Sequence, residues 1–236
     1  MVLLGSFVNA LLIMLGALVG KLFHRIPERM KETTMSIIGL AVALLGIQMG
    51  FKSDNFVVII ISLVIGTIIG EWIDLDKWFN RFGLKVEQMM TKGKQPGESK
   101  IAEGFVTSSL IFVIGSMAII GALDSGLRSD HSVLITKGII DGFTSIILAT
   151  TLGMGVMLSA APVFFYQGAI ALCAGVISTY IPDAALDLFI QEMTATGGIM
   201  ILAIGLNIAG LTKIRVANLL PAIIVVGVIV AFMYQI

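Results

Sequence analysis

The sequence predicts an all-α fold, a polytopic bundle of about eight transmembrane helices. Three observations carry this. The 236 residues are 57% hydrophobic and only 13% charged, against roughly 25% charge in soluble domains. Apolar runs of span length recur from one end of the chain to the other. The basic residues collect in alternate connections between those runs, as they do in the cytoplasmic loops of membrane proteins.

A helix crosses roughly 30 Å of hydrocarbon with about 20 mostly apolar residues. Stretches of this kind lie at 3–22, 34–51, 55–73, 102–123, 132–158, 162–181, 194–211 and 216–235. The first begins Met1-Val2-Leu3-Leu4-Gly5 with no basic residue ahead of it, so it reads as a retained span rather than a cleaved signal. The fifth contains Lys137 and Asp141, which places its start at a cavity or at the interface. Only residues 74–100 form a sizeable polar connection. There Trp78, Phe79, Phe82 and Val86 make an apolar side among Lys77, Arg81 and Lys85, the pattern of an amphipathic helix at the headgroups. Lys92 to Lys100, with Gly93, Pro96 and Gly97, reads as a linker. The expected organisation is one membrane domain. It comprises a three-helix unit at 1–73, the amphipathic helix and linker at 74–100, two central spans within 101–158, and a second three-helix unit at 162–236.

Charge sets the expected orientation. With the N-terminus outside, twelve of the fifteen basic residues fall in cytoplasmic connections, from Lys21 to Arg215. Only Lys52 and Arg128 fall outside, and Lys137 lies within a span. This pattern expects a bacterial inner-membrane protein with both ends outside.

Composition also excludes function classes. Zero net charge argues against a nucleic-acid partner. The single cysteine, Cys173, has no internal partner, and His24 and His131 are expected on opposite sides of the membrane, so neither a disulfide nor a shared histidine metal site is expected. The sequence contains no HExxH, no paired CxxC, no phosphate-binding glycine loop and no nucleophile elbow. No cofactor, metal or enzymatic activity is expected. The lipid bilayer and a small solute or ion are the expected partners, with a homo-oligomer as the expected assembly.

Two segments resemble each other. Gly39 through Gln48 and Gly198 through Asn207 both read glycine, six apolar residues, glycine, apolar residue, side-chain amide. Upstream, Gly20 through Pro27 lies against Gly175 through Pro182. Two spans intervene between the three-helix units, so the units would be inverted relative to each other. Inverted repeats with interrupted helices at midplane are an architecture of secondary transporters. On that reading Gly46, Gly50, Gly205 and Gly210 are the positions where helices would unwind.

Polar residues inside spans are costly unless partnered and are therefore candidates for function. Gln48 and Asn207 are the matched amides. They bind substrate or ion, or else bond between helices near the span ends. Asp141 lies four residues after Lys137 on one helical face. The pair is a switchable coupling site, or else an intrahelical ion pair that makes the span tolerable. Ser145 and Thr150 continue the polar side of that span, and Ser108 and Ser109 of the fourth span are candidates to face them. Those hydroxyls have the alternative of bonding their own helix carbonyls. Asn9 and Glu103 are weaker candidates. The pairs Gly16/Gly20 and Gly46/Gly50, each four apart, suit close helix packing.

Several runs are distinctive together: Met1 to Gly5, Val8-Asn9, Gly20-Lys21, Ile26-Pro27-Glu28-Arg29-Met30-Lys31, Gly39-Leu40-Ala41, Gly70-Glu71-Trp72-Ile73-Asp74 and Gly205-Leu206-Asn207 to Leu219-Leu220-Pro221. They resemble the bacterial membrane-protein family catalogued as domain of unknown function 554, over essentially the whole chain. The resemblance implies an inner-membrane protein and assigns no catalytic or binding residue. The function expected from the inverted pattern is secondary transport of a small solute or ion by alternating access. A channel-like pore and a non-transporting membrane scaffold or regulator are the alternatives.

Overall fold

The computed structural model describes residues 1–22, 28–81, 85 and 100–234. The expected linker at 92–99, residues 82–84 and 86 of the amphipathic segment, and the Ile26-Pro27 turn lie outside the described residues. Among those described, every regular element is helical. They are α1 (Leu4–Leu22), α2 (Glu28–Gly50), α3 (Phe56–Ile73), α4 (Lys100–Val113), α5 (Ser116–Leu127), α6 (Ser132–Leu152), α7 (Gly155–Leu158), α8 (Ala160–Tyr180), α9 (Asp183–Ile208) and α10 (Pro221–Tyr234). A 3-10 turn at Val216–Leu219 precedes α10. Residues 75–81 are also helical, with Phe79 edge-to-face with Trp78 and, at 6.2 Å between ring centroids, tilted against Phe105 of α4.

Six segments are long and apolar enough to cross a membrane: α1, α3, α6, Gly155–Tyr180, α9 and Val216–Tyr234. The pair α4 and α5, bent by 63°, is long and apolar enough only when taken together, as one broken span or a re-entrant loop. The remaining expected span is present as a shorter apolar helix, Met35–Gly50 within α2. The outer faces suit lipid, since Leu44, Ile68, Phe143, Leu172 and Ile224 are 65–72% exposed, an apolar display that water-soluble surfaces avoid.

Two boundaries differ from expectation. The connection between the expected stretches 162–181 and 194–211 is itself helical: α9 starts at Asp183 and includes Asp187 and Glu192. Pro182 fits the helix entry with its fixed φ, and Asp183 in the first turn complements the helix dipole. The fifth expected stretch is split at Gly153, whose φ of +70° ends α6.

The helices form two compact units. The first contains Met1–Glu32, Lys77–Val113 and Met117–Ala174, and the second contains Thr33–Asp76, Ile114–Ser116 and Gly175–Ile236. This grouping interleaves the chain.

In the first unit α1 and α6 pack side by side and parallel. Gly5 lies against Leu134, Gly16 against Gly142 and Gly20 against Ile146. A methyl group on Gly16 would stand 2.1 Å from the Gly142 carbonyl oxygen, so the two backbones touch as small-residue seams allow. In the second unit α2 and α9 run antiparallel, and their contacts are reciprocal. Gly39 abuts Gly205 and Ala209, while Gly46 abuts Gly198 and Leu202. Helices α3 and α10 are antiparallel too, with Gly66 against Ala222 and Gly70 against Asn218 just ahead of α10.

Both α2 and α9 run uninterrupted through Gly46 and Gly205. Gly50 ends α2, and Gly210 (φ +76°) lies in the turn after α9. The expected unwinding is absent there because those glycines serve close approach: a side chain on either would meet the partner backbone. The interruptions lie elsewhere, at Gly115 (φ +145°) between α4 and α5 and at Gly153.

Candidate functional site

The first unit holds a cluster of buried polar side chains. On α6, Lys137, Asp141 and Ser145 follow at intervals of four, one above the other on a single face. That face is buried, with 6%, 6% and 0% exposure. Gly138 and Gly142 beside them let α1 approach, so that Asn9 of α1 lies against Gly138. The Lys137 ammonium pairs with Asp141 Oδ2. Asn9 approaches the same carboxylate and donates through Nδ2 to Oε1 of Gln167 on α8 at 3.2 Å, with both amides fully buried.

Charges taken out of water cost several kcal/mol each unless partnered. The pair meets that cost by mutual attraction and by the amide beside it. The hydrogen bonding is nevertheless incomplete. Among the described residues Asn9 Oδ1, Gln167 Nε2, Ser6 Oγ and Ser145 Oγ are buried without a partner. Swapping O and N of both amides leaves one donor and one acceptor unmatched all the same.

A cleft of about 460 Å³ is walled by Phe7, Ala10, Met14, Met157, Phe164 and Phe165. Its walls carry no polar side chain, and none of Asn9, Gln167, Lys137 and Asp141 lines it.

Of the residues singled out in the sequence, Lys137, Asp141 and Asn9 therefore come together, and Ser145 shares the buried face of α6 one turn further on, where it lies against Gly16. The others do not. Ser108 Oγ donates to Gly104 O at 2.5 Å and Thr150 Oγ1 to Ile147 O at 2.7 Å, each within its own helix. Ser109 Oγ is buried without a partner among the described residues. Gln48 is exposed on α2. Asn207 is bound up in the turn after α9. Its Oδ1 accepts from Thr212 Oγ1 and Ile214 N, and its Nδ2 donates to Ile214 O. That network pins the turn and leaves the amide committed.

Gln167 is the member of this buried polar cluster that sequence reasoning missed. It is a lone amide in an apolar run, the signal that singled out Gln48, but it has no repeat partner to draw notice. Glu192 falls between the expected stretches 162–181 and 194–211. It is 1% exposed on α9, and the Ser53 hydroxyl lies 2.7 and 2.8 Å from its two oxygens. Among the described residues no three His, Cys, Asp or Glu side chains converge as a metal site would require.

Comparison with known proteins adds family membership without chemistry. The family model described as "Protein of unknown function (DUF554)" matches residues 4–231. The chain is similar to the "Uncharacterized membrane protein YdfK" of Bacillus subtilis (strain 168), 35% identical over 231 residues, covering 96% of this chain and 95% of that protein. It is also similar to the "Uncharacterized protein YqgA" of Escherichia coli (strain K12), 31% identical over 223 residues, covering 94% and 93%. No solved structure matches.

Proposed function

The chain belongs to the DUF554 family of membrane proteins, and from that premise we propose that it is a secondary transporter of a small solute or ion, working by alternating access. The observation that carries this is the Lys137–Asp141 pair buried beside Asn9 and Gln167. Ionisable groups inside membrane helices are expensive, and where they occur they mark ion pathways and relays. A purely structural bundle of this composition would do without them. The pair is the coupling element: its making and breaking changes the charge presented to the space between α1, α6 and α8.

Two further features favour the reading. The reciprocal glycine contacts of α2 and α9 are what a local two-fold axis relating Gly39–Gln48 to Gly198–Asn207 would produce, in keeping with an inverted repeat. The twelve-to-two distribution of basic residues favours a bacterial inner membrane with both ends outside.

The test is electrical. Protein reconstituted into liposomes on a solid-supported membrane is challenged with a panel of small solutes under imposed pH or sodium gradients. The expected result is a saturable, gradient-dependent current that Asp141→Asn weakens and Asn207→Ala leaves intact. Flux that never saturates would show a pore instead. Transport unaffected by Asp141→Asn would remove the pair from the coupling role.

A further inference from the structure

We propose that Lys52, Asp187 and Gln191 bind a small zwitterionic solute, an amino acid, in a recess of the second unit that carries one unpaired charge of each sign. The inference rests on the transport reading for its purpose and names the substrate class. The recess belongs to the second unit, whereas the Lys137–Asp141 pair belongs to the first.

The recess has a volume of about 260 Å³ and is lined by Lys52, Ser116, Asp187, Ile190, Gln191 and Thr194. Asp187, Gln191 and Thr194 are spaced four and three residues apart on α9, which puts them on one helical face over a rise of about 10.5 Å. Accessibility falls along that rise: Asp187 is exposed, Gln191 half-buried and Thr194 buried. A polar side of this kind on a membrane helix belongs to a water-filled cavity rather than to lipid. Ligand pockets run to roughly 300–1,000 Å³, so this volume suits a small occupant.

Both ends of the recess are fixed by the fold. At its base the backbone leaves helix at Gly115, whose φ of +145° favours glycine. A side chain there would meet nothing within 4 Å, so the glycine serves the break and not packing. Ile114 before it packs at Gly197, one turn beyond Thr194 on α9, and Ser116 after it reaches the recess. Such a break strands backbone polar groups, which membrane proteins tolerate beside aqueous cavities and transporters use at substrate sites. At the mouth, Lys52 N–H donates to Met49 O at 3.0 Å. The next residue, Ser53, donates through Oγ to the buried Glu192 of α9 and accepts from Asn55 N–H at 2.9 Å. Lys52 is thus mounted on an anchored turn, and Ser53 is a positioning residue.

Charge selects the ligand. Lys52 and Asp187 line one recess, yet among the described residues neither enters an ion pair, with the other or elsewhere. A simple anion would find Lys52 but face Asp187, and a simple cation would meet the reverse. A zwitterion satisfies both: its carboxylate takes Lys52, and its ammonium takes Asp187 and the side-chain oxygen of Gln191. Charge-assisted hydrogen bonds form at each end, and the ligand brings no net charge into a site bordered by lipid. Neither Asp54 nor Glu192 lines the recess. Thr194 Oγ1 gives its hydrogen to Ile190 O and keeps its acceptor side free. With Ser116 it offers hydroxyls to a short ligand side chain, beside Ile190 as the apolar wall.

The experiment follows thermal unfolding of the purified, detergent-solubilised full chain while glycine, L-alanine, L-serine and L-threonine are titrated singly. A ligand of the folded chain raises the melting temperature with a dependence set by its Kd, and at least one of the four is expected to do so at low concentration. A rise that is merely linear up to high concentration is an osmolyte effect and counts as no binding. The amide of the same amino acid, which lacks the carboxylate, and its N-acetyl derivative, which lacks the ammonium, should have no effect. Lys52→Met and Asp187→Asn should each weaken binding by about tenfold or more, as the loss of a charge-assisted bond does. Both side chains are exposed, and the ligand-free melting temperature checks that each variant is folded. Ser53→Ala should weaken binding too, where Ser53→Thr keeps it. No binding of any of the four overturns the site, and saturable currents for another solute would leave the transport reading intact. Binding without currents for the same amino acid does the reverse. Equal binding of the derivatives, or equal affinity in Lys52→Met, Asp187→Asn and wild type, overturns the zwitterion assignment.

Discussion

Asp141→Asn isolates the charge at the heart of the cluster. Asparagine keeps the shape of the side chain and an acceptor oxygen, so the variant removes one unit of charge and little else. The ammonium of Lys137, 6% exposed, is then left without its counter-charge. Two unit charges about 4 Å apart at an effective dielectric near 20 attract by about 4 kcal/mol. Removing one member of a buried pair costs about 3–5 kcal/mol in measured systems, which agrees. At roughly 2–4 °C per kcal/mol for a chain of this size, the expected fall in melting temperature is about 6–20 °C. Thermal unfolding in detergent, followed by loss of the monodisperse size-exclusion peak, reads it directly. The double variant Lys137→Met, Asp141→Asn removes both charges and should recover most of the loss, because it leaves no bare ion. A single-variant fall of no more than about 1 kcal/mol, the value of an exposed pair, would mean that water reaches the pair. The coupling argument built on its burial would then fail. A double variant no better than the single would refute the same reasoning from the other side.

Three further outcomes test the fold and the disposition of its polar groups. Gly16→Ala puts a methyl 2.1 Å from a backbone oxygen of α6, whereas Gly175→Ala in α8 meets nothing within 4 Å. The first should therefore cost about 1–3 kcal/mol or more and the second should be neutral or gain up to about 1 kcal/mol, both by the same melting assay. Asn207→Ala deletes three hydrogen bonds to the turn at 212–214, with an expected loss of about 1–3 kcal/mol. Hydrogen exchange should show the effect confined to residues 211–215. Asp130 accepts from the backbone N–H of Ser132 at 3.0 Å. That bond, followed by a side-chain bond from Ser132, holds the carboxyl below its ordinary 3.8. The stabilisation is therefore complete above that value and is lost as pH falls through the lower, folded one. Protection of the Ser132 amide should drop in that acid window in the wild type and show no such step in Asp130→Ala.

How much of this was legible in the sequence follows from what lipid does to sequence patterns. Every expected span coincides with a helix or helix pair, because the length of an apolar run is fixed by bilayer thickness. Facing is another matter. In a water-soluble helix the polar side declares which face is buried. In α8 nearly every residue around the helix is apolar, so nothing in the run marks Gln167 as inward. Its partner Asn9 is 158 residues away and carries no matching motif. Lys137 and Asp141 were visible because charge in a span is conspicuous at any angle. The glycines were visible too, but their two uses look alike in sequence. Gly115 and Gly153 take positive φ and interrupt helices, whereas Gly46 and Gly205 admit a neighbouring backbone. Asn207 is a related case: an amide near a span end looks the same in sequence whether it holds a solute or a turn, and here it bonds the turn.

Packing directions supply a constraint on the spans that hydropathy lacks. Membrane helices tilt by about 40° at most, so parallel neighbours cross the bilayer in the same sense and antiparallel ones in opposite senses. Helices α3 and α10 are antiparallel, as the pairings of Gly66 with Ala222 and Gly70 with Asn218 require. An even number of crossings must then lie between them. Helix α6, the span Gly155–Tyr180 and α9 supply three, so the bent pair α4 and α5 must cross as well, rather than re-enter on one side. Helices α1 and α6 are parallel, through Gly5 with Leu134 and Gly20 with Ile146, so an odd number of crossings separates them. With α3 and the bent pair counted, α2 has to cross too, short as its apolar portion Met35–Gly50 is. The antiparallel contact of α2 with α9 checks the result independently, since four crossings then lie between those two helices. Composition alone stops at six or seven spans, and the directions of three helix pairs carry the count to eight.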